Sequence, residues 1–129
     1  MLQIDYRSSE SLYIQIKNNF KNLILSESLK ENDLLPSVRN LASELAINVN
    51  TVQRAYRELE QEGYIYSIPG KGNFVAKVSP NLIEKNFDEF KATLIEVLKR
   101  AEILGITKDK IVKITDEFFS TRGENKWYK

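Results

Sequence analysis

A chain of 129 residues has room for one ordinary domain, or for one domain with a short appendage, and it excludes a large two-domain enzyme. It has no cysteine and no histidine, so it lacks disulfides, the usual zinc ligands and the commonest general base, and we expect no enzyme, metal site or cofactor. The formal net charge is only +1, so any binding to nucleic acid must depend on the local placement of a few cations.

The first predicted element is a helix over residues 11–25. Its apolar residues are spaced three and four apart, as on one helix face, at Leu12, Ile16, Phe20, Leu23 and Ile24. Ser8 or Ser9 is expected to cap this helix. A polar stretch then predicts a loop that ends at Pro36, and Ser37 is placed to cap the next helix.

Two short helices come next, separated by only Ala46, Ile47 and Asn48. The inward residues of the first are Val38, Leu41, Ala42 and Leu45, and those of the second are Val52, Ala55, Tyr56 and Leu59. Asn48 suits the N-cap of the second of these helices, and Gly63 suits its C-terminal stop. Two short helices joined by a three-residue turn predict a helix-turn-helix.

A β-hairpin is predicted after Gly63. Its strands are the runs YIYSI and NFVAKV, which are rich in β-branched and aromatic residues, and Pro69-Gly70-Lys71-Gly72 joins them. Three helices followed by a hairpin predict a winged helix-turn-helix over residues 1–79. The expected fold class is therefore mostly α with a small β-wing, followed by a two-helix tail.

The tail, residues 80–129, is predicted to be a helical dimerisation segment. Its first helix carries an apolar stripe over about five turns that ends at Gly105, and its second begins near Thr107. Two amphipathic helices cannot bury their apolar faces alone, so we expect a homodimer. The residues assigned to that contact are Phe87, Phe90, Leu94, Leu98 and Leu104.

Residues 35–75 closely resemble the DNA-binding domain of the GntR family of bacterial repressors. The match is carried by Leu35-Pro36-Ser37 with Arg39, Asn50-Thr51-Val52 with Arg54-Ala55-Tyr56, Leu59-Glu60, Glu62-Gly63, and Gly70-Lys71-Gly72 with Phe74-Val75. With only about 50 residues after this domain, the chain resembles the small YtrA-type branch. The resemblance implies a transcriptional regulator, expected to be a repressor that binds an inverted-repeat operator as a homodimer.

The third helix carries most of the candidate DNA contacts. If its inward stripe faces the core, the outward residues are Val49, Asn50, Gln53, Arg54 and Arg57. Asn and Gln side chains suit adenine, Arg suits guanine or phosphate, and Val49 suits a thymine methyl group. Asn48 is also predicted to contact DNA. Thr51 is predicted either to contact a phosphate or to cap the helix locally. The alternative is a solvated helix face.

Further contacts are expected from the second helix and from the wing. Arg39 lies in the first turn of its helix, where a cation opposes the helix dipole, and the resemblance also places a DNA contact there. An ion pair with Glu44 or another acid is the alternative. Lys71 is expected to enter or flank the minor groove, unless it is an ordinary turn lysine, and its neighbours Gly70 and Gly72 are predicted DNA contacts because they let the backbone approach.

The predicted partners are double-stranded operator DNA and a second copy of the chain, and a small-molecule effector is left open. The alternative function is a winged helix that binds protein instead of DNA. An enzyme is the least favoured hypothesis, since adjacent carboxylates such as Asp88-Glu89 do not point together. No apolar run approaches the ~20 residues that cross a bilayer, and the N-terminus lacks a secretory signal, so we expect a cytoplasmic protein without a membrane partner.

Overall fold

The computed structural model describes residues 2–121 of the protein. Its elements are α1 (Leu12–Leu25), α2 (Val38–Leu45), α3 (Val49–Gln61), β1 (Ile65–Ile68), β2 (Gly72–Val75), α4 (Pro80–Ile103) and α5 (Lys108–Thr121). The predicted fold class, a winged helix-turn-helix with two further helices, is confirmed. The chain divides into two compact units between Ile83 and Glu84, and α4 begins at Pro80, before that division.

Helix α1 buries Ile16, Phe20 and Ile24, three residues of its predicted stripe. The cap prediction was wrong: the helix begins after Ser11, whose side chain makes no capping hydrogen bond. Gln15 is also buried, which helix spacing did not predict. Its Oε1 accepts a 2.7 Å hydrogen bond from the Asp5 N–H, and its Nε2 donates to the carbonyl oxygen of Asp5 at 2.9 Å. Gln15 therefore ties the N-terminal segment to α1.

The helix-turn-helix has the boundaries that the sequence predicts. Ser37 Oγ accepts a hydrogen bond from the Asn40 N–H at 3.1 Å, and Asn48 Oδ1 accepts one from the Asn50 N–H at 2.7 Å. Ala46 adopts the left-handed conformation that ends α2. All four predicted inward residues of α3 are buried, namely Val52, Ala55, Tyr56 and Leu59. Burial also raises the pKa of Tyr56, whose hydroxyl donates to the Pro36 carbonyl oxygen at 2.7 Å.

The hairpin pairs β1 with β2 in antiparallel register, from Ile65 opposite Val75 to Ile68 opposite Gly72. The prediction that Gly72 belongs to the turn was wrong, because this residue begins β2. The turn is Pro69-Gly70-Lys71, closed by a 2.9 Å hydrogen bond from the Lys71 N–H to the Ile68 carbonyl oxygen. Proline followed by a glycine at φ +77° is typical of a type II turn, which holds Lys71 at the tip of the wing.

The first unit has a core that extends beyond its predicted elements. In the loop before α2, Leu34 forms a β-bridge with Phe74, and the Leu35 N–H donates to the Asn73 carbonyl oxygen at 2.9 Å. This loop segment therefore lies along β2 and steadies the wing. Leu82, in the first turn of α4, also joins this core.

The second unit contains most of α4 and all of α5. Gly105, at φ +73°, follows α4, and Thr107 Oγ1 accepts a hydrogen bond from the Lys110 N–H at the start of α5. Ala101 is buried on α4, whereas α5 buries no residue within the single chain. None of the helices within residues 2–121 combines the length and the apolar composition of a membrane span.

Candidate nucleic-acid interface

One side of α3 is polar and open to solvent. The burial of its inward stripe leaves Val49, Asn50, Gln53 and Arg57 exposed, as predicted. Residues 50, 53 and 57 are spaced three and four apart, so their side chains follow one line along the helix surface, which we call the outward line. A helix of this kind fits the major groove of DNA, which is about 12 Å wide.

The acidic side chains near the end of α3 all have protein partners. Glu60 Oε2 accepts hydrogen bonds from the Ser67 N–H at 3.1 Å and from the Ser67 hydroxyl at 2.9 Å. Glu58 pairs with Lys17 at 2.9 Å, and Glu62 pairs with Lys21 at 2.8 Å. These carboxylates are thereby turned toward β1 and α1. The charge that remains on the outward line is the cation of Arg57.

The ion pairs between α1 and α3 shift the pKa values of the groups that form them. Hydrogen bonding from Lys17 holds the pKa of Glu58 below its usual value, and Arg54 adds to this effect. Burial alone would raise the pKa of Glu62, but hydrogen bonds from Lys17 and Lys21 outweigh it and leave that pKa lowered. Burial likewise opposes the charge of Lys17, yet its two carboxylate partners raise the pKa of its ammonium group.

Arg54 differs from the other predicted contacts on α3 because the protein already holds its side chain. Its guanidinium lies 3.7 Å from the centre of the Tyr13 ring on α1, and its Nε donates to Glu58 Oε2 at 3.2 Å. The side chain is nevertheless 52% exposed. Periodicity within α3 carries no information about a partner on α1, so the sequence did not reveal the role of Tyr13.

The other predicted cations have no ion pair within residues 2–121. Arg39 is exposed in the first turn of α2, and the alternative pairing with Glu44 is not present there. Lys71 is exposed at the turn of the wing, between Gly70 and Gly72. Both positions leave a positive charge available to a ligand.

The remaining site predictions fall on the first turn of α3. Asn48 is exposed, but its side-chain oxygen is occupied as the N-cap, which leaves its NH₂ group for a contact. Thr51 is half-buried, two residues inside the helix. Among the described residues, no three His, Cys, Asp or Glu side chains converge as a metal site would require.

Comparisons with known proteins agree with this geometry. Residues 12–75 match the family described as bacterial regulatory proteins, gntR family. The HTH-type transcriptional repressor YtrA of Bacillus subtilis is 38% identical over 112 residues, which are 86% of this chain and 86% of that protein. The chain belongs to the GntR family. The match to YtrA over most of both chains also supports the small YtrA-type branch.

Solved structures of GntR-family and related regulators extend the similarity into the tail helices. A transcriptional regulator from Oenococcus oeni has a TM-score of 0.73 and 32% identity, and the match covers 92% of this chain and 99% of that one. YtrA from Sulfolobus acidocaldarius, a GntR-family transcription factor, has a TM-score of 0.59 and 31% identity over 79% of this chain and 97% of that one. This GntR-family chain is therefore a DNA-binding transcriptional regulator, and its family confirms that it is not an enzyme.

Proposed function

We propose that this GntR-family protein is a repressor that binds an inverted-repeat operator as a homodimer. The observation that carries the proposal is the outward line of α3, where Asn50, Gln53 and Arg57 are exposed while the neighbouring acids are engaged by α1 and β1. Amide side chains in the major groove can recognise adenine, and arginine can recognise guanine. Repression is taken from the B. subtilis relative, which is named a transcriptional repressor.

We assign contacts with the DNA phosphate backbone to two cations outside the outward line. Arg39 on α2 and Lys71 on the wing are exposed and free of ion pairs within residues 2–121, so both can neutralise phosphates. In a helix-turn-helix the first helix crosses the backbone while the second enters the groove. Two such cations position the protein on DNA, and the amides of α3 supply the sequence preference.

A second copy of the chain is the partner we assign to the tail. Five apolar side chains on α4 and just after it are 36–63% exposed in the single chain, and they are Phe87, Phe90, Leu94, Leu98 and Leu104. Burying a large apolar side chain contributes about 1.5–3 kcal/mol, so a two-fold dimer would stabilise this surface strongly. A dimer would also set two recognition helices at a fixed separation. Bacterial DNA lies in the cytoplasm, and we place the protein there.

An electrophoretic mobility-shift titration tests the proposal. The full chain is titrated against the promoter region of its own operon and against a shuffled sequence of equal length, at physiological salt. Specific binding at least about a thousandfold tighter than binding to the shuffled DNA is expected for a regulator of this kind. Equal affinity for both sequences, or no shift at micromolar protein, would contradict it.

A further inference from the structure

Arg54 occupies the edge of the DNA-facing side of α3, next to α1. It follows Asn50 by four residues, so it is turned about 40° further around the helix, and Glu58 is turned by about the same angle again. These three residues form a diagonal that leads from the outward line toward α1. The Tyr13 ring, at 3.7 Å from the Arg54 guanidinium, lies at the end of this diagonal.

The guanidinium of Arg54 is held on two sides and open on the others. The Tyr13 ring covers one face of its plane, and Glu58 accepts from Nε at 3.2 Å. Neither contact uses the Nη groups, and 52% of the side chain is exposed. A free arginine loses rotamer entropy when it is fixed on a ligand, and here much of that loss has already occurred in the protein alone.

We infer that Tyr13 and Glu58 are positioning residues, which aim the Nη groups of Arg54 at a phosphate of the operator backbone. This inference rests on the proposed function. Base edges are reached from the middle of the outward line, whereas Arg54 is drawn away from that line toward α1. A planar guanidinium can donate two parallel hydrogen bonds to a phosphate. Arg54 therefore positions the protein on DNA and does not recognise sequence.

Arg54 and Tyr13 variants test this assignment in the full chain. Arg54→Ala should weaken binding to operator and shuffled DNA alike, by about tenfold for each protomer and so by about a hundredfold for the dimer, because each half-site loses a charged hydrogen bond to the DNA backbone. The slope of log affinity against log salt should fall by about two per dimer, one phosphate for each protomer. When salt is raised from about 50 to 150 mM, the fold-loss of affinity should consequently be about seven times larger for the wild type than for the variant.

Tyr13→Leu keeps apolar bulk but removes the aromatic ring, and it should weaken binding to both DNAs several-fold while the remaining Arg54 charge keeps the salt slope close to that of the wild type. Tyr13→Phe keeps the ring and should bind like the wild type. Arg54→Lys keeps the charge but has no planar face to stack on Tyr13, and it should lose several-fold in affinity. Thermal unfolding of each variant checks that the protein is folded under the binding conditions. If Tyr13→Leu does not fold, the affinity of Arg54→Lys alone tests the positioning role.

The outcomes separate this inference from the proposed function. If the wild type binds the operator but Tyr13→Leu or Arg54→Lys binds equally well, the positioning role is wrong and the regulator remains. If Arg54→Ala loses only its preference for the operator, with an unchanged salt slope, Arg54 contacts a base. A wild type with no preference for operator DNA would refute the proposed function itself.

Discussion

Asn50 and Gln53 are exposed on the first turns of α3, and within residues 2–121 neither side-chain amide is hydrogen-bonded to another part of the protein. We expect Asn50→Ala and Gln53→Ala each to reduce the discrimination between operator and shuffled DNA by ~1–3 kcal/mol, because each variant removes a bidentate hydrogen-bond pair to a base. Stability should change little at such exposed positions. Competition binding with both DNAs measures the effect, and an equal loss on both would show that the amides contact only phosphates.

Arg39 and Lys71 should behave in the opposite way. Arg39→Ala and Lys71→Ala should weaken binding to every sequence and lower the salt slope by about one for each phosphate that is no longer neutralised. Lys99→Ala is a matched control, because it removes a cation from α4, where Lys99 pairs only weakly with Glu96 at 3.4 Å. Binding isotherms at several salt concentrations decide the matter. A slope unchanged in Arg39→Ala would remove that residue from the interface.

At the scale of elements, the ion pairs between α1 and α3 fix the recognition helix on its scaffold. Glu62 accepts from Lys17 and Lys21, and its side chain is only 26% exposed. Glu62→Gln should therefore lower the free energy of unfolding by about 1–3 kcal/mol, because two lysines lose a charged acceptor. Urea unfolding measures this change. Glu89→Gln on exposed α4 is the matched control, and an equal effect of both variants would refute the role of the network.

The same network predicts how stability depends on pH. The pKa values of Glu58 and Glu62 are lowered from 4.5 in the folded state, so their contribution is present above that value and is lost as pH falls through the folded pKa values. The raised pKa of Lys17 adds stability that is present below 10.5 and is lost at more alkaline pH. Unfolding followed from neutral pH into acid should show a smaller loss for Glu62→Gln than for the wild type. Parallel curves would contradict this.

Most of the elements could be predicted from the sequence because their signals are local. Helix spacing, the caps at Ser37 and Asn48, and the stop at Gly63 depend on neighbours within a few residues, and the structure agrees with them. The bridge from Leu34 to Phe74 joins residues 40 positions apart, so no local pattern reveals it.

The candidate site divides in the same way. The exposure of Asn50, Gln53 and Arg57 follows from the inward stripe of α3, since a helix has only one face opposite its core. The position of Arg54 over Tyr13 depends on how α1 packs against α3, which sequence spacing does not encode. The burial of Leu82 in the first core likewise required tertiary structure, because a single leucine at the start of α4 fits either unit.

For the whole molecule, the tail should decide both oligomeric state and affinity. Phe90→Glu with Leu94→Glu places charges in the apolar stripe of α4 and should yield a folded monomer, because each buried charge would be unpaired. Loss of the tethered second half-site should weaken operator binding by roughly 10² or more. Ala92→Glu, on the opposite side of α4, introduces the same charge as a control. Light scattering and DNA titration measure the two effects, and a wild-type monomer would refute the dimer.

The central claim is that two copies of this GntR-family protein place their α3 helices on an inverted repeat. Footprinting of the DNA upstream of its own gene tests it most directly, because the protected bases show both half-sites and their spacing. We predict two protected half-sites in inverted orientation, with centres about one helical turn apart or at a related multiple. Protection of a single half-site, or of no specific sequence at protein concentrations that bind shuffled DNA, would contradict the account.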